Sequence, residues 1–231
     1  MSYFELRDCS SYLELHFSAP DSANALSLSA ARELAAIASK HRAYPGVVVV
    51  RARGPVFCSG GHLTDYAKLK GKAPGLRVNR EITRALDRFA QWPCVKLAAI
   101  EGDVLGGGME WLARFDYRWS VPHAVFGFWQ RRIGLTFGWG GGAVWARHLG
   151  EPRTRQLLME SRPLSAAEAL RLGLLDRIVP GWKLADELAA WAAAMDGAGP
   201  ARRWTASAET RIFSSLWLGE THRRVLAKWR K

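Results

Sequence analysis

The sequence lacks the features of an exported, disulfide-bonded or metal-binding protein. Its three cysteines, Cys9, Cys58 and Cys94, are far apart and form no Cys-x-x-Cys pair, which argues against a disulfide framework and a zinc site. None of its six histidines falls in a His-Glu-x-x-His pattern. The start of the chain has neither a basic nor an apolar leader segment, and no run of roughly 18 uncharged apolar residues follows. These absences predict a cytoplasmic protein with no membrane-spanning segment and no bound metal.

Phosphate-binding motifs of the common types are also missing. Three glycine clusters occur, but none ends in the lysine and serine or threonine of a P-loop, and none has the G-x-G-x-x-G order after a first strand. No internal repeat is apparent. The 231 residues, 48% of them hydrophobic, are enough to bury a full core as one domain with a small appendage.

The net charge of +12 is concentrated in two segments, residues 68–96 and 202–231. Each segment has eight lysines or arginines against two acidic residues, which gives a net charge of +6. An exposed basic surface of this kind attracts nucleic acid, phosphorylated cofactors or an acidic protein. Solvated helix faces would have the same composition, and the sequence leaves both interpretations open.

Strand-like and helix-like patterns alternate along the chain. Residues 12–17 alternate as in a strand, and a helix is predicted from Ser27 or Ser29 towards His41. The unbroken β-branched run at residues 47–50 is typical of a parallel strand covered on both faces. Further strands are predicted at residues 95–100, 115–121, 125–126 and 176–179, and further helices around residues 82–89, 143–149, 165–173 and 182–195. The alternation predicts an α/β core.

One convincing linker, Gly-Ala-Gly-Pro at residues 197–200, occurs near the end of the chain. We therefore expect an α/β core over residues 1–196 and a basic C-terminal helical region over residues 197–231. The apolar residues of that region recur at helical spacing, which predicts two amphipathic helices that need a partner surface.

Glycine-rich turns follow the predicted strands, and we expect the functional residues to lie on them. One contains Gly60 and Gly61, the second is the triple glycine at residues 106–108, and the third spans residues 138–142. Glycine lets the backbone approach a ligand closely, and the first turn of a helix leaves N–H donors free. Glu110 follows the triple glycine within one turn, so a base and an oxyanion pocket can lie together. Taken alone, the same stretch is better explained as a glycine turn between strand and helix with a surface glutamate.

Together, five segments resemble the crotonase superfamily, the enoyl-CoA hydratase/isomerase proteins. They are residues 23–27, 57–63, 102–110, 126–142 and 165–179, in that family's order and spacing. The resemblance implies an α/β fold, a crotonase-type spiral of β-β-α units with a small C-terminal helical region used in assembly of a homotrimer or hexamer. It also implies an acyl-CoA thioester substrate, with coenzyme A as part of the substrate and no separately bound cofactor.

The resemblance assigns roles to individual residues. An enolate would be held by the N–H groups of Gly61 and Gly107, and preorganised donors of this kind are worth roughly 3 kcal/mol each. Glu110 would be the acid/base, while Gln130 stands where family hydratases carry a second glutamate. Glutamine cannot exchange a proton at neutral pH, so hydration by two carboxylates is disfavoured. Hydratase/isomerase chemistry with one glutamate and decarboxylation of a malonyl-type thioester both remain open.

Several neighbours of the first glycine turn are further candidates. His62 stands where the family often has an aspartate, and it either contacts substrate or moves a proton, or it is a hydrogen-bonded spacer. Tyr66 and Trp129 are candidates for the lining of the acyl pocket. The residues predicted to hold the CoA part of the substrate are Ser59, Gly60, Leu63, Lys68, Lys70 and Lys72. An acidic acyl carrier protein would be attracted by these lysines equally well.

An alternative of a different class is a degenerate crotonase core that binds RNA or an acidic partner through its basic tail. The tail lacks the aromatic platform of a dedicated RNA-binding fold, which disfavours nucleic acid as a partner.

Overall fold

The computed structural model of the chain describes residues 2–195, 214, 217 and 219–227. The chain divides into two compact units, Met1–Pro200 and Ala201–Lys231. The first is an α/β unit with two sheets, and the second contains the helix Glu220–Ala227. The predicted linker and most of the predicted basic tail lie outside the described residues, so the boundary at residue 196 stays a prediction.

The larger sheet has six strands and is parallel except at one edge. In spatial order the strands are β1 (Phe4–Asp8), β2 (Leu13–Phe17), β3 (Val47–Ala52), β5 (Val95–Ile100), β7 (Tyr117–Ser120) and β10 (Arg177–Ile178). Only β1 runs antiparallel to its neighbour, β2. The four valines that open β3 are at most 2% exposed, which confirms the prediction of a buried parallel strand.

The smaller sheet positions the glycine turns. Its strands are β4 (Val56–Cys58), β6 (Asp103–Leu105), β8 (Val125–Gly127) and β9 (Leu164–Ser165), in that spatial order. Each of β4, β6 and β8 follows a strand of the larger sheet by a few residues, and the three are mutually parallel. Because the carboxyl ends of adjacent parallel strands meet at one edge, the three segments that follow them come together.

Along the chain, seven of the described helices lie between strands, and the last two follow β10. The helices are α1 (Leu28–Lys40), α2 (Leu63–Ala67), α3 (Lys72–Ala90), α4 (Gly107–Leu112), α5 (Gly141–Leu149), α6 (Glu151–Glu160), α7 (Ala166–Arg171), α8 (Gly181–Ala194) and α9 (Glu220–Ala227). Ser27 caps α1 by accepting a hydrogen bond from the N–H of Ala30 at 3.1 Å. Ser165 caps α7 in the same way, through the N–H of Glu168 at 3.2 Å. Both predicted starts are confirmed.

An aromatic cluster fixes the position of α4. Trp111 is fully buried, and its ring lies 5.6–6.2 Å from five phenylalanine rings, those of Phe4, Phe17, Phe57, Phe89 and Phe115. Edge-on and tilted contacts of this kind favour one arrangement of the rings. Since Trp111 is the next residue after Glu110, the cluster also holds that carboxylate in place.

One cation of the basic segment 68–96 is not at the surface. Lys96 on β5 is 2% exposed, and its Nζ lies 3.1 Å from Oδ2 of Asp116. The same Nζ donates to the carbonyls of Trp92 and Cys94. The expectation that all eight cations form an exposed basic surface is therefore wrong for Lys96, because β5 is buried on both faces and Asp116, directly before β7, supplies a counter-ion. The other seven are exposed.

Within the residues described, no helix is both long and apolar enough to cross a membrane. The same residues contain no cluster of histidine, cysteine and carboxylate side chains that would hold a metal ion. The three cysteines are free thiols, and burial raises the pKa of Cys58 and of Cys94 to about 12. Both thiols therefore stay protonated and act as small apolar side chains.

Candidate active site

Two glycine turns touch each other at the edge of the smaller sheet. Gly60 has a φ of +105°, and a Cβ at this position would lie 2.8 Å from the backbone nitrogen of Gly107. A Cβ on Gly108 would lie 2.3 Å from the carbonyl oxygen of Cys58. Glycine is therefore required at both positions, and the close approach brings the predicted oxyanion residues Gly61 and Gly107 side by side.

The backbone N–H groups of Gly61 and Gly107 are free donors. Neither has an acceptor among the residues that the structure describes. Gly107 is the first residue of α4, and the N–H groups in the first turn of a helix have no partner within the helix. The glycine turn that contains Gly61 is held to the segment before α1 by a hydrogen bond of 2.7 Å from the Leu26 N–H to the Gly60 carbonyl. Two free donors on adjoining turns can stabilise a negatively charged oxygen.

An aromatic ring covers each of these two glycines. A Cβ on Gly61 would lie 2.7 Å from Cε2 of Tyr66, and a Cβ on Gly107 would lie 2.5 Å from Cζ3 of Trp139. Trp139 is 3% exposed, and the hydroxyl of Tyr66 is closed off from solvent. The two donors are thus bordered by an apolar wall in which electrostatic interactions are stronger than in water.

Glu110 is 2% exposed and its carboxylate accepts four hydrogen bonds. The donors are Gly138 N–H (3.0 Å) and Gln130 Nε2 (3.3 Å) on one oxygen, and Trp139 N–H (2.8 Å) and Gly141 N–H (3.1 Å) on the other. A carboxylate has about four lone-pair sites, so all of them are occupied. Because these amides precede and open α5, the negative charge also lies at the positive end of that helix.

Burial raises the pKa of Glu110, while the hydrogen bonds from Gly138, Trp139, Gly141 and Gln130 act in the opposite direction. The carboxyl is therefore easier to protonate than an exposed glutamate, although protonation must displace one of its donors.

Gln130 lies in the 3₁₀ turn Trp129–Ile133, directly after β8. Its Nε2 donates to the Gly106 carbonyl at 3.0 Å as well as to Glu110, so the amide bridges the second glycine turn and the carboxylate. The structure thus places Gln130 beside Glu110. At this position it supplies a hydrogen-bond donor and no acid or base.

His62 is the N-cap of α2. Its Nδ1 lies 3.3 Å from both the backbone nitrogen and Oδ2 of Asp65. This geometry favours the second interpretation of His62, a hydrogen-bonded spacer, because its Nδ1 is engaged by a residue of the helix that it caps.

The residues predicted to hold CoA extend from the first glycine turn along α2 to the start of α3. Leu63 is 54% exposed, and Lys68, Lys70 and Lys72 are exposed. Lys68 pairs with Asp65 at 3.2 Å. Trp129, the other predicted pocket residue, has its ring stacked under the guanidinium of Arg132 at 4.0 Å.

Two residues that the sequence does not single out hold the loop that binds Glu110. Asn79 on α3 donates to the Gly138 carbonyl at 2.6 Å and accepts from Nε1 of Trp139 at 2.9 Å. Arg114 donates to the Trp139 carbonyl at 2.7 Å. A polar residue in the middle of a helix carries no local signal of such a role, because its partner lies about 60 residues away along the chain.

Comparisons with known proteins agree with this architecture. A family model described as enoyl-CoA hydratase/isomerase matches residues 9–211. The enoyl-CoA isomerase/hydratase fer4 of Mycosarcoma maydis is 33% identical over 149 residues, which cover 63% of this chain and 54% of that protein. The ethylmalonyl-CoA decarboxylase of Gallus gallus is 31% identical over 127 residues, 55% of this chain and 43% of that protein. The chain spans about half the length of the curated relatives it matches.

Solved structures share the fold. An enoyl-CoA hydratase from Bacillus anthracis matches with a TM-score of 0.80 at 26% identity, covering 84% of this chain and 77% of that one. Pseudomonas aeruginosa AtuE matches with a TM-score of 0.84 at 24% identity, covering 99% of this chain and 97% of that one. At this level of identity the match shows a common fold and nothing about activity. The predicted crotonase-type α/β spiral is confirmed, and the chain belongs to the enoyl-CoA hydratase/isomerase family.

Proposed function

We propose that this chain is an acyl-CoA enzyme that holds the enolate of a thioester between the N–H groups of Gly61 and Gly107. Both donors lack an acceptor among the described residues, and the two turns that carry them are in contact. A thioester oxygen gains negative charge when a bond at the neighbouring carbon breaks, and fixed donors stabilise that charge. Coenzyme A enters as part of the substrate.

Within this chemistry we favour decarboxylation of a malonyl-type thioester. The observation that carries the choice is the fourfold hydrogen bonding of Glu110, which leaves its carboxylate no free lone pair, with Gln130 where a second carboxylate would be needed. Hydration requires an acid and a base, and double-bond migration requires a base. Loss of CO2 requires neither, because the departing bond itself leaves its electron pair on the held oxygen. The similarity to an ethylmalonyl-CoA decarboxylase supports this choice.

Mass spectrometry of thioesters incubated with the purified protein tests the proposal. The panel is malonyl-, methylmalonyl- and ethylmalonyl-CoA together with an enoyl-CoA. We expect loss of CO2 from at least one malonyl-type thioester and no gain of water by the enoyl-CoA. Hydration of the enoyl-CoA without any CO2 loss would contradict the assignment.

A second candidate is double-bond migration with Glu110 as the acid/base. It is favoured by the raised pKa of Glu110, which brings the carboxyl nearer to the range where it exchanges protons at neutral pH. A shift of the double bond in a 3-enoyl-CoA, with no CO2 loss from the malonyl-type thioesters, would select this reaction.

The carrier end of the substrate is assigned to the exposed segment after the first glycine turn, with Ser59, Gly60 and Leu63 next to the thioester and Lys68, Lys70 and Lys72 facing phosphate. Cations there suit the phosphates of CoA, and they suit an acidic acyl carrier protein. Rates measured with acyl-CoA and with the same acyl group on a carrier protein separate the two. We further propose a homotrimer or hexamer, which light scattering on the purified protein would establish.

A further inference from the structure

We propose that the hydroxyl of Tyr66 is the acid that protonates the α-carbon of the enolate after CO2 has left. This inference rests on the proposed decarboxylation. Tyr66 thereby becomes a catalytic residue of this site in addition to the two glycines.

The position of Tyr66 supports this assignment. Its ring lies against Gly61, and its hydroxyl oxygen is 3.2 Å from the place that a Cβ on Gly61 would occupy. The hydroxyl is inaccessible to solvent and has no hydrogen-bond partner among the residues described. A buried polar group left unpaired costs about 1–3 kcal/mol, so its presence beside an oxyanion donor calls for a ligand.

The other polar groups around the two glycine turns are already engaged. Glu110 accepts four hydrogen bonds, the Nδ1 of His62 caps α2, and Gln130 has no proton to give. The indole N–H of Trp139 donates to Asn79. The Tyr66 hydroxyl is not engaged in this way: it makes no hydrogen bond to another described residue, and as a phenol it is a much stronger acid than the free backbone N–H groups of Gly61 and Gly107.

The surroundings keep Tyr66 in its protonated form. Burial is the largest effect and raises the pKa of Tyr66, the nearby Glu110 carboxylate raises it further, and the Trp139 indole partly opposes the rise. A neutral phenol can donate its proton, and a thioester enolate is basic enough to take it.

The step balances without any added oxidant or reductant. The bond between the α-carbon and the carboxylate breaks, CO2 leaves, and the electron pair moves to the thioester oxygen held by Gly61 and Gly107. The enolate then collapses to the thioester as its α-carbon takes the proton of the Tyr66 O–H bond. The resulting phenolate is neutralised by a proton from water.

The test is decarboxylation of ethylmalonyl-CoA and methylmalonyl-CoA in deuterium oxide by the full-length protein. The wild-type protein should place deuterium at one of the two α-positions of the product, because the acid lies on one side of the enolate. In Tyr66→Phe the ring still covers Gly61, but solvent must supply the proton. We expect the preference between the two α-positions to fall from about tenfold or more to about one, while CO2 is still released.

Tyr44→Phe is the matched control. The Tyr44 hydroxyl donates to the Val47 carbonyl at 3.2 Å, outside the glycine turns, so this variant should keep the wild-type preference. Tyr66→Phe should have a denaturation midpoint at or above that of the wild type, because the hydroxyl it removes is buried without a partner.

The outcomes separate the two proposals. CO2 release with an unchanged preference in Tyr66→Phe, or with no preference in the wild type, would overturn the role of Tyr66 alone. A lowered midpoint of Tyr66→Phe with an unchanged preference would identify a structural hydroxyl. If no malonyl-type thioester loses CO2, the proposed decarboxylation fails and the role of Tyr66 fails with it.

Discussion

The sequence predicts only some of the residues that surround Glu110. The position of a carboxylate one turn after a triple glycine is visible in the chain order, and so is Gln130 downstream. The donors at Gly138, Trp139 and Gly141 are not, because local patterns do not say which loop the fold brings against α4. The sequence therefore predicts that Glu110 belongs to the site, but not that the fold uses its carboxylate to hold the start of α5.

We expect Glu110→Gln to lower the free energy of unfolding by about 2–4 kcal/mol, because a buried network loses an acceptor and gains an NH2 that faces N–H donors. Urea denaturation of the two proteins measures the difference. Glu151→Gln is the control, since Glu151 is exposed on α6 and its loss should change the stability by no more than ~0.5 kcal/mol. Equal midpoints for Glu110→Gln and the wild type would show that the four hydrogen bonds do not stabilise the fold.

At the scale of elements, the long helices and buried strands are predictable and the short connections are not. The buried run that opens β3 and the Ser27 cap of α1 can each be recognised from a few neighbouring residues in the sequence. The five-residue α2 and the 3₁₀ turn at Gln130 cannot, because an element of a single turn is too short to show a periodic pattern of apolar residues. These short elements carry Tyr66 and Gln130, which the family resemblance names as candidates, so the structure adds the contacts of the two side chains and not their identity.

The start of α4 gives a prediction about the second glycine turn. Gly107→Ala should reduce turnover by about a hundredfold, because the new Cβ displaces Trp139 and moves a donor of the oxyanion pocket. Steady-state kinetics on the thioester found to react provide the measurement. Gly75→Ala on α3 is matched to it: no atom lies within 4 Å of the new Cβ, and alanine stabilises a helix by roughly 0.5–1 kcal/mol over glycine. Similar turnover in both variants would remove Gly107 from the site.

We expect His148, in the last turn of α5, to make the stability of the protein depend on pH. Partial burial, with Arg118 and Arg147 nearby, lowers the pKa of His148 from its ordinary value of 6.5. Between the lowered folded-state pKa and 6.5 the unfolded chain binds more protons, so the contribution of His148 to stability is present above pH 6.5 and is lost as the pH falls. His148→Gln should therefore gain stability relative to the wild type between pH 8 and about pH 5.

Urea denaturation at both pH values provides the measurement for His148. His123→Gln, at an exposed position, is the control variant. A difference between His148→Gln and the wild type that stays constant with pH would contradict the expected linkage.

At the scale of the whole molecule, one helix presents a row of positive charges. Arg77, Arg80, Arg84 and Arg88 recur every three or four residues along α3, and all four are exposed. This spacing puts them on one face of the helix. The sequence predicts the basic segment correctly apart from Lys96, whose burial follows from its place on a central strand and could not be inferred from charge alone.

Arg80→Glu combined with Arg84→Glu should raise the KM for the CoA thioester by about three- to tenfold and leave kcat nearly unchanged, because steering of an anionic substrate is lost. The effect should shrink as salt is added. Arg153→Glu combined with Arg171→Glu, on other helices, makes the same change in net charge. An equal rise in KM in this control pair would mean that total charge matters and the face of α3 does not.

Asn79 lies on the same helix as these arginines, yet it also holds the loop whose amides bind Glu110. The amide hydrogens of Gly138, Trp139 and Gly141 are all bound to the two oxygens of one carboxylate, so they can exchange with solvent only when that carboxylate releases them. In native-state hydrogen exchange they should behave as one cooperative unit. Asn79→Ala should speed the exchange of all three together, whereas three unrelated rates would mean that the loop opens piecemeal. The carboxylate thus sets the timescale on which the covered site can open.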